Sequence, residues 1–442
     1  MIGRTATAAV VAAVLISGAA PDVRAGTLFT RTADVEALAL GPGALWAATR
    51  GGVEVYDLVT LARVRLYTTE DGLDVNHVRG VTVRGGEVVA RTQGASCRLA
   101  GERFRCDAAP PAPAPAPPAK ASTLFRGARV TATEALPDGR QLVATAGQGL
   151  WLAGDAPRRL TPENQICSNH VVAVARARGR TWFGSFDQGL CSFDGTTFRQ
   201  TAGPFTMIND LVATPRALYV ATSSGLFRTV DGERFVRVHD LDGRGAVDLA
   251  FDGKAVWVVT SVALWRIPDS RAPLRRWQAT RFSRPGGSRA LQAVDVNRGA
   301  IWLASEDVGA LRLVDQRHGG RFEIFDRARG LPSSWAIDVA VAADGGAFVA
   351  TLRDGLVRVT PDGRSGAPEA DLPDRWMLHV SLDHDNRELW VGTQAGAARL
   401  VPDSTVLRPR VDLPHPCVHA VRTLPEGTWF GTEGGTLFLP RT

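Results

Sequence analysis

The chain has 442 residues, 45% hydrophobic and 22% charged, with 46 glycines and a formal net charge of +6. This is an ordinary globular composition, and it excludes a collagen-like, disordered or multi-span membrane protein. The positive balance does not indicate nucleic acid: all basic residues but Lys120 and Lys254 are arginine, they are interleaved with 45 acids, and no run exceeds a pair such as Arg158-Arg159, whereas nucleic-acid binders concentrate charge on a face or tail.

In chain order, the first element is an export signal. Arg4 precedes an apolar run, Ala8–Ala20, and Val23-Arg24-Ala25 fits a small-x-small cleavage site. The run is too short to span a bilayer. Residues 1–25 are therefore expected to be a signal peptide cleaved near Ala25, and residues 26–442 the mature protein, periplasmic or extracellular with no membrane span. Thr27-Leu28-Phe29-Thr30 follows as a strand with no blade of its own.

From there one phrase recurs: an apolar, often aromatic run ending in Thr or Ser, a short turn, and another apolar run. Its anchors are Thr49, Thr92, Thr145, Ser185, Thr222, Thr260, Ser305, Thr351, Thr393 and Thr432. A period of about 40 residues is that of a propeller blade. Each unit divides into four short strands, a to d, with Asp-Gly turns between c and d at Asp194-Gly195, Asp231-Gly232 and Asp362-Gly363. The last unit stops after its third strand. The fold class is thus all-β: a β-propeller of four-stranded antiparallel blades, about ten in a single ring closed by the N-terminal strand pairing with the last blade. The Trp residues of strand b (46, 182, 257, 302, 390 and 429) read as wedges between blades.

One interruption falls after the second unit. Ala108–Ala119 is a Pro/Ala-rich spacer, and Thr123-Leu124-Phe125 after it repeats residues 27–29. That repetition supports an alternative, an eight-bladed ring plus two extra blades. Two blades cannot bury their faces alone, which favours one ring.

The five cysteines allow two disulfides with one thiol over. Cys97 and Cys106 flank a hairpin expected to turn at Ala100-Gly101, which leaves them one diagonal step apart and asks for a bulge or a longer loop. Cys167–Cys191 is the other candidate. His415, Cys417 and His419 alternate along one strand, but Pro416 and a missing fourth ligand argue against a metal, and no metal or cofactor is expected.

The units resemble the two-component regulator propeller repeat. The resemblance rests on Trp429-Phe430-Gly431-Thr432, on Trp182–Asp194 with Gly189-Leu190, and on Thr222–Phe227. The inter-blade phrases Asp71-Gly72-Leu73-Asp74-Val75-Asn76 and Arg329-Gly330-Leu331-Pro332-Ser333-Ser334 add to it. It implies an extracytoplasmic sensor module, signalling through a partner.

Aligning the units on their anchors marks one position early in strand a. It holds Glu36, Arg79, Glu134, Val172, Asp210, Asp248, Gln292, Asp338, His379 and His419. A polar residue in an apolar strand is costly unless paired, so these residues are expected to line a channel mouth, contacting a ligand or bonding neighbouring blades. The b–c loops of the same face add Arg50, Asp187, Glu306, Asp307, Arg353, Asp354 and Glu433. No phosphate loop, nucleophile elbow or zinc-protease motif is present, and no catalytic residue is assigned. The expected function is an exported, non-catalytic propeller, monomeric, binding a small polar ligand, glycan or protein partner on its loop face, as a sensor input. The alternatives are a glycan hydrolase or lyase using channel-mouth carboxylates, and an envelope scaffold.

Overall fold

The computed structural model describes residues 26–109, 124–205, 207–239, 241–269, 279–283, 290–316, 320–366, 372–383, 388–400, 407–410 and 413–441. The expected signal peptide, residues 1–25, and most of the Pro/Ala-rich spacer expected at Ala108–Ala119 lie outside these residues. Among the described residues there are ten antiparallel sheets, nine of four strands and one of five, joined by turns and three short 3-10 segments.

The repeated Thr/Ser has a local cause. The buried hydroxyl of Thr432 donates to the Gly435 carbonyl across the b–c turn at 2.7 Å, as Thr49 does to Gly52 at 2.8 Å and Thr222 to Gly225 at 2.7 Å. A buried hydroxyl needs such a partner, and the turn carbonyl gains one. The residue before eight of the ten anchors is Ala or Gly, for a second reason. A Cβ on Gly431 would meet the Val171 carbonyl oxygen at 2.7 Å, and one on Gly392 the Val418 oxygen at 2.3 Å. Strand b there runs against the start of the next blade.

The blades do not form one ring of ten. The inner strands of seven follow one another in a closed cycle: Val171–Ala177, Ile208–Ala213, Asp248–Phe251, Leu291–Asn297, Ala336–Val341, Met377–Asp383, Val418–Leu424, and back to the first. These ring blades are numbered 1 to 7. The remaining three, residues 35–67, 80–108 and 124–159, form a separate stack with the 35–67 blade in the middle. Tyr67, Val81 and Phe104 fill one side of that blade, and Leu45, Leu61 and Leu142 the other. A middle blade covered on both faces meets the requirement that two extra blades would have failed, so the eight-plus-two alternative is not seen either. What keeps the stack out of the ring is the contact between blades 7 and 1. Trp429 is buried there with Val174, Phe183 and Leu424, leaving no face open for insertion.

Closure by the N-terminal strand is as expected. Thr27, Leu28 and Phe29 pair with Phe438, Leu437 and Thr436 and complete blade 7. Asn169 fastens the stack to this seam: its amide accepts from Arg31 N at 2.6 Å and donates to the Arg31 and Arg50 carbonyls at 2.8 and 3.0 Å. Asn76 of the inter-blade phrase donates to the Gly434 carbonyl at 3.2 Å.

Both disulfides are present, Cys97–Cys106 and Cys167–Cys191, and Cys417 is the free thiol. The first needs no bulge. The hairpin turns at Gly101-Glu102, so Ala100 faces Arg103 and Cys97 directly opposes Cys106. The second closes a separation of 24 residues. Its removal by a Cys167→Ser/Cys191→Ser double substitution is expected to cost about 3 kcal/mol. Urea titration checks this, and an unchanged midpoint would contradict it.

The strand-b Trp residues are wedges. Trp182, Trp257 and Trp302 are fully buried and Trp390 and Trp429 nearly so, with Trp46 half-buried.

Candidate functional site

The seven inner strands enclose a central cavity of about 640 Å³. All seven aligned ring positions line it: Val172, Asp210, Asp248, Gln292, Asp338, His379 and His419. Glu36, Arg79 and Glu134 belong to the stack and do not. Glu36 is paired with Arg50 at 3.1 Å and His77 at 3.6 Å, and the His77 hydrogen bond is foremost in lowering its pKa to about 2. Arg79 bonds Gln93 at 3.2 Å. Glu134 lies beyond the corresponding residue, Thr131, because its a–b turn is longer: Ala135 pairs with Gln141, where Ala177 pairs with Arg180.

A bulge after the first residue of strand a splits the aligned position into two. It recurs between Val171 and Ala173, Ile208 and Asp210, Leu291 and Ala293, Ala336 and Asp338, Met377 and His379, and Val418 and Ala420. Val172, Gln292 and His419 are the bulged residues, whereas Asp210, Asp338 and His379 follow the bulge. Bulges re-aim side chains, and here they separate two kinds of site.

The residues after the bulge tie blades together. Asp210 accepts from Leu249 N at 3.1 Å, Asp248 from Val294 N at 2.7 Å and Asp338 from Val380 N at 2.8 Å. Asp295, not among the aligned positions, accepts from Val341 N at 2.7 Å. His379 contacts the Val421 carbonyl at 3.4 Å. A polar girdle therefore runs from blade 2 to blade 7, each blade bonding the next.

The girdle is electrostatically loaded. Burial, then the Asp210 and Asp338 charges, push Asp248 well above the ordinary carboxylate range. Burial raises Asp210 as well. The Asp210 charge adds to the rise at Asp248, because two neighbouring buried carboxyls disfavour ionising both. Burial disfavours the His379 imidazolium, but Asp338 at 2.8 Å more than offsets this and its pKa rises.

The loop-face candidates stand on the b–c turns. Asp187 accepts from Ser168 at 2.6 Å, Asp307 from Ser305 at 3.1 Å, and Asp354 N donates to Thr351 at 3.2 Å. The Arg353 guanidinium lies 4.5 Å from the centre of the Trp376 ring. Glu306 is half-buried beside Asp307 with its backbone N–H on the Ala290 carbonyl at 2.9 Å. Two residues on this face escaped the sequence reading, Phe186 at 47% exposure and Trp335 at 42%. Their signal was available: each stands in a turn, outside the repeating strand-b aromatic position.

Glu433 accepts from His419 Nε2 at 3.0 Å, a bond that is foremost in lowering the Glu433 pKa, and His170 of blade 1 has its ring 5.0 Å from that of His419. Burial lowers the pKa of both His170 and His415. Burial likewise pushes the Cys417 thiol up to about 11. A further group, Asp74 with Cys97 and Cys106, is closed to metals by the disulfide.

No family model matches the sequence, and no curated protein matches it. Solved structures share the fold. The extracellular domain of a hybrid two-component system of B. thetaiotaomicron aligns with 90% of this chain at 14% identity and a TM-score of 0.53; the chain spans 60% of that domain. PorZ, a surface component of the type-IX secretion system of Porphyromonas gingivalis, aligns with 92% of this chain at 16% identity and a TM-score of 0.56, over 68% of its own length. A catalytically inactive virginiamycin B lyase of Staphylococcus aureus, solved with quinupristin, covers 63% of this chain at 12% identity and a TM-score of 0.53, over 98% of its own length. The likeness establishes the propeller fold and agrees with the two-component regulator propeller resemblance.

Proposed function

We propose that the chain is an exported binding module that takes a small polar ligand or a partner segment on the loop face of its seven-bladed ring, as a sensor input acting through a separate signalling partner. The observation that carries this reading is the convergence of seven polar or bulged inner-strand positions on one cavity, flanked on the same face by exposed Phe186 and Trp335. Convergent polar groups beside apolar surface mark binding sites. The extracellular sensor-domain neighbour supports it. Since the girdle carboxylates already serve inter-blade bonds, the bulged Gln292, the b–c turns and the two aromatic residues are the first contacts for a ligand, and the girdle their support.

A thermal-shift screen of the mature chain against sugars, amino acids and short peptides tests this. A hit is expected to shift the wild type by several degrees and to be lost in Trp335→Ala or Gln292→Ala with the unliganded melting point kept. Shifts that survive both substitutions would place binding elsewhere. The buried, neighbouring Asp210 and Asp248 carboxyls favour acid–base hydrolysis or elimination on a glycan as the second reading, and the lyase neighbour supports the elimination. Product formation abolished by Asp248→Asn would install that reading instead.

A further inference from the structure

The girdle ends where the ring closes. From blade 2 to blade 7 each junction carries a side-chain bond between inner strands, but at the seam between blades 7 and 1 the facing side chains are two imidazoles and a carboxylate. His419 is the bulged residue of blade 7, turned out of its strand between Val418 and Ala420. Glu433 stands on the b–c turn of the same blade beside its anchor Thr432, and His170 immediately precedes the inner strand of blade 1. Their donor atoms all lie within 4.8 Å of one another. Cys417 and His415 form a second set with the same Glu433, again within 4.8 Å.

We propose that this seam binds one divalent transition-metal ion of the Zn²⁺ type through His170, His419 and Glu433, with Cys417 as fourth donor. The donor set decides the class of ion. Imidazole nitrogen, carboxylate oxygen and thiolate sulfur suit zinc and its neighbours, whereas Mg²⁺ and Ca²⁺ take oxygen. Zinc holds nitrogen and oxygen donors at roughly 2.0–2.2 Å and sulfur at about 2.3 Å, tetrahedrally. Donors around it therefore sit closer together than 4.8 Å, so the two sets, which share Glu433, must draw in on the ion. His415 is the poorer ligand, because its Nδ1 already accepts from Cys417 N at 3.1 Å. Phe186 stacks on His170 with centroids 5.0 Å apart and walls one side of the site.

Sequence spacing alone shows His415, Cys417 and His419 short of a ligand. Ring closure supplies the remainder, since it carries His170 from blade 1 across to blade 7. The ion would thus bridge the two blades joined last, and its binding would be readable as ring stability.

The test uses the untagged mature chain, stripped with chelator, under non-reducing conditions that keep both disulfides. Zn²⁺ is expected to bind at one equivalent and, well above its dissociation constant, to raise the melting temperature by about 5 °C. Mg²⁺ at the same concentration is expected to do nothing. His170→Ala and His419→Asn should each weaken Zn²⁺ binding by more than tenfold while circular dichroism stays unchanged. Co²⁺ bound to the wild type should show a thiolate charge-transfer band that Cys417→Ser removes. Zinc affinity retained in the folded His170→Ala and His419→Asn proteins, or an equal response to Mg²⁺, would overturn the proposal.

Discussion

A chain truncated to begin at Thr30, without Thr27–Phe29, is expected to lose about 3–5 kcal/mol of stability and on the order of 10 °C in melting temperature. The three residues make every antiparallel pairing that covers the outer edge of Thr436–Phe438. Phe29 also holds an aromatic group together, with ring centroids 5.3 Å from Phe193, 5.3 Å from Phe198 and 5.6 Å from Trp429. Phe193 and Phe198 belong to blade 1 and Trp429 to blade 7, so the strand both completes one blade and mortars it to the next. Its loss exposes an unpaired edge and an aromatic surface, and edges of this kind aggregate. Calorimetry and light scattering measure both effects. Phe29→Ala, which keeps the pairing, should recover the monomer but only part of the melting temperature. A truncated chain that melts with the parent would show that blade 7 closes without its fourth strand.

The second large effect concerns protons. In the folded state Asp248 keeps its proton at a pH where an unfolded aspartate, with its pKa near 3.9, has lost it. The native state therefore binds more protons, and stability falls as pH rises. The contribution is whole below about pH 4 and is lost as pH climbs through the raised pKa. Asp210, also raised, acts in the same sense, and His379 adds a loss above the ordinary histidine range near 6.5. Asp295, Asp338, Asp383, His419 and Arg422 complete the charged and titratable groups lining the cavity among the described residues. Asp248→Asn keeps an oxygen for the Val294 N–H and removes the charge. It is expected to flatten the pH–stability profile, whose slope for one proton is at most about 1.4 kcal/mol per pH unit, and to stabilise the ring above neutral pH. Urea midpoints measured from pH 4 to pH 9 decide it. A variant whose profile parallels the wild type would mean that the carboxyl is ionised in the fold.

What could be read from the amino acids was whatever has a local cause. The ten anchors stand out because the Thr or Ser hydroxyl must bridge its own b–c turn, and the strand-b Trp because each blade needs a wedge. The orphan strand at residues 27–29 announced its partner by what the last unit lacks. The division into seven and three was not legible, because Leu45 and Leu142 in the stack pack on their neighbours as Leu303 and Leu311 do in the ring. An apolar face does not declare which blade it meets. The information lies in distant contacts such as Asn169 on Arg31 and Gly431 against Val171, which no local pattern foreshadows. The channel position was legible to within one residue, since the bulge and uneven a–b turns shift the count. His170 was hidden altogether: it becomes a neighbour of His419 only once blade 1 is known to follow blade 7.

The pairing of Thr27–Phe29 with Thr436–Phe438 also sets a timetable. The first strand to emerge waits for the last, across more than four hundred residues of chain. Six ring blades can form and stack beforehand, each covering its predecessor, while the outer face of blade 1 stays bare. Contacts of such separation are slow to find, and partly built intermediates with exposed apolar faces are prone to association. The three-blade stack, formed early and tethered directly to the waiting strand, holds Thr27–Phe29 near blade 1 through Asn169 and shortens that final search. Refolding of a chain lacking the stack should therefore be slower in its closing phase than its equilibrium stability alone would require.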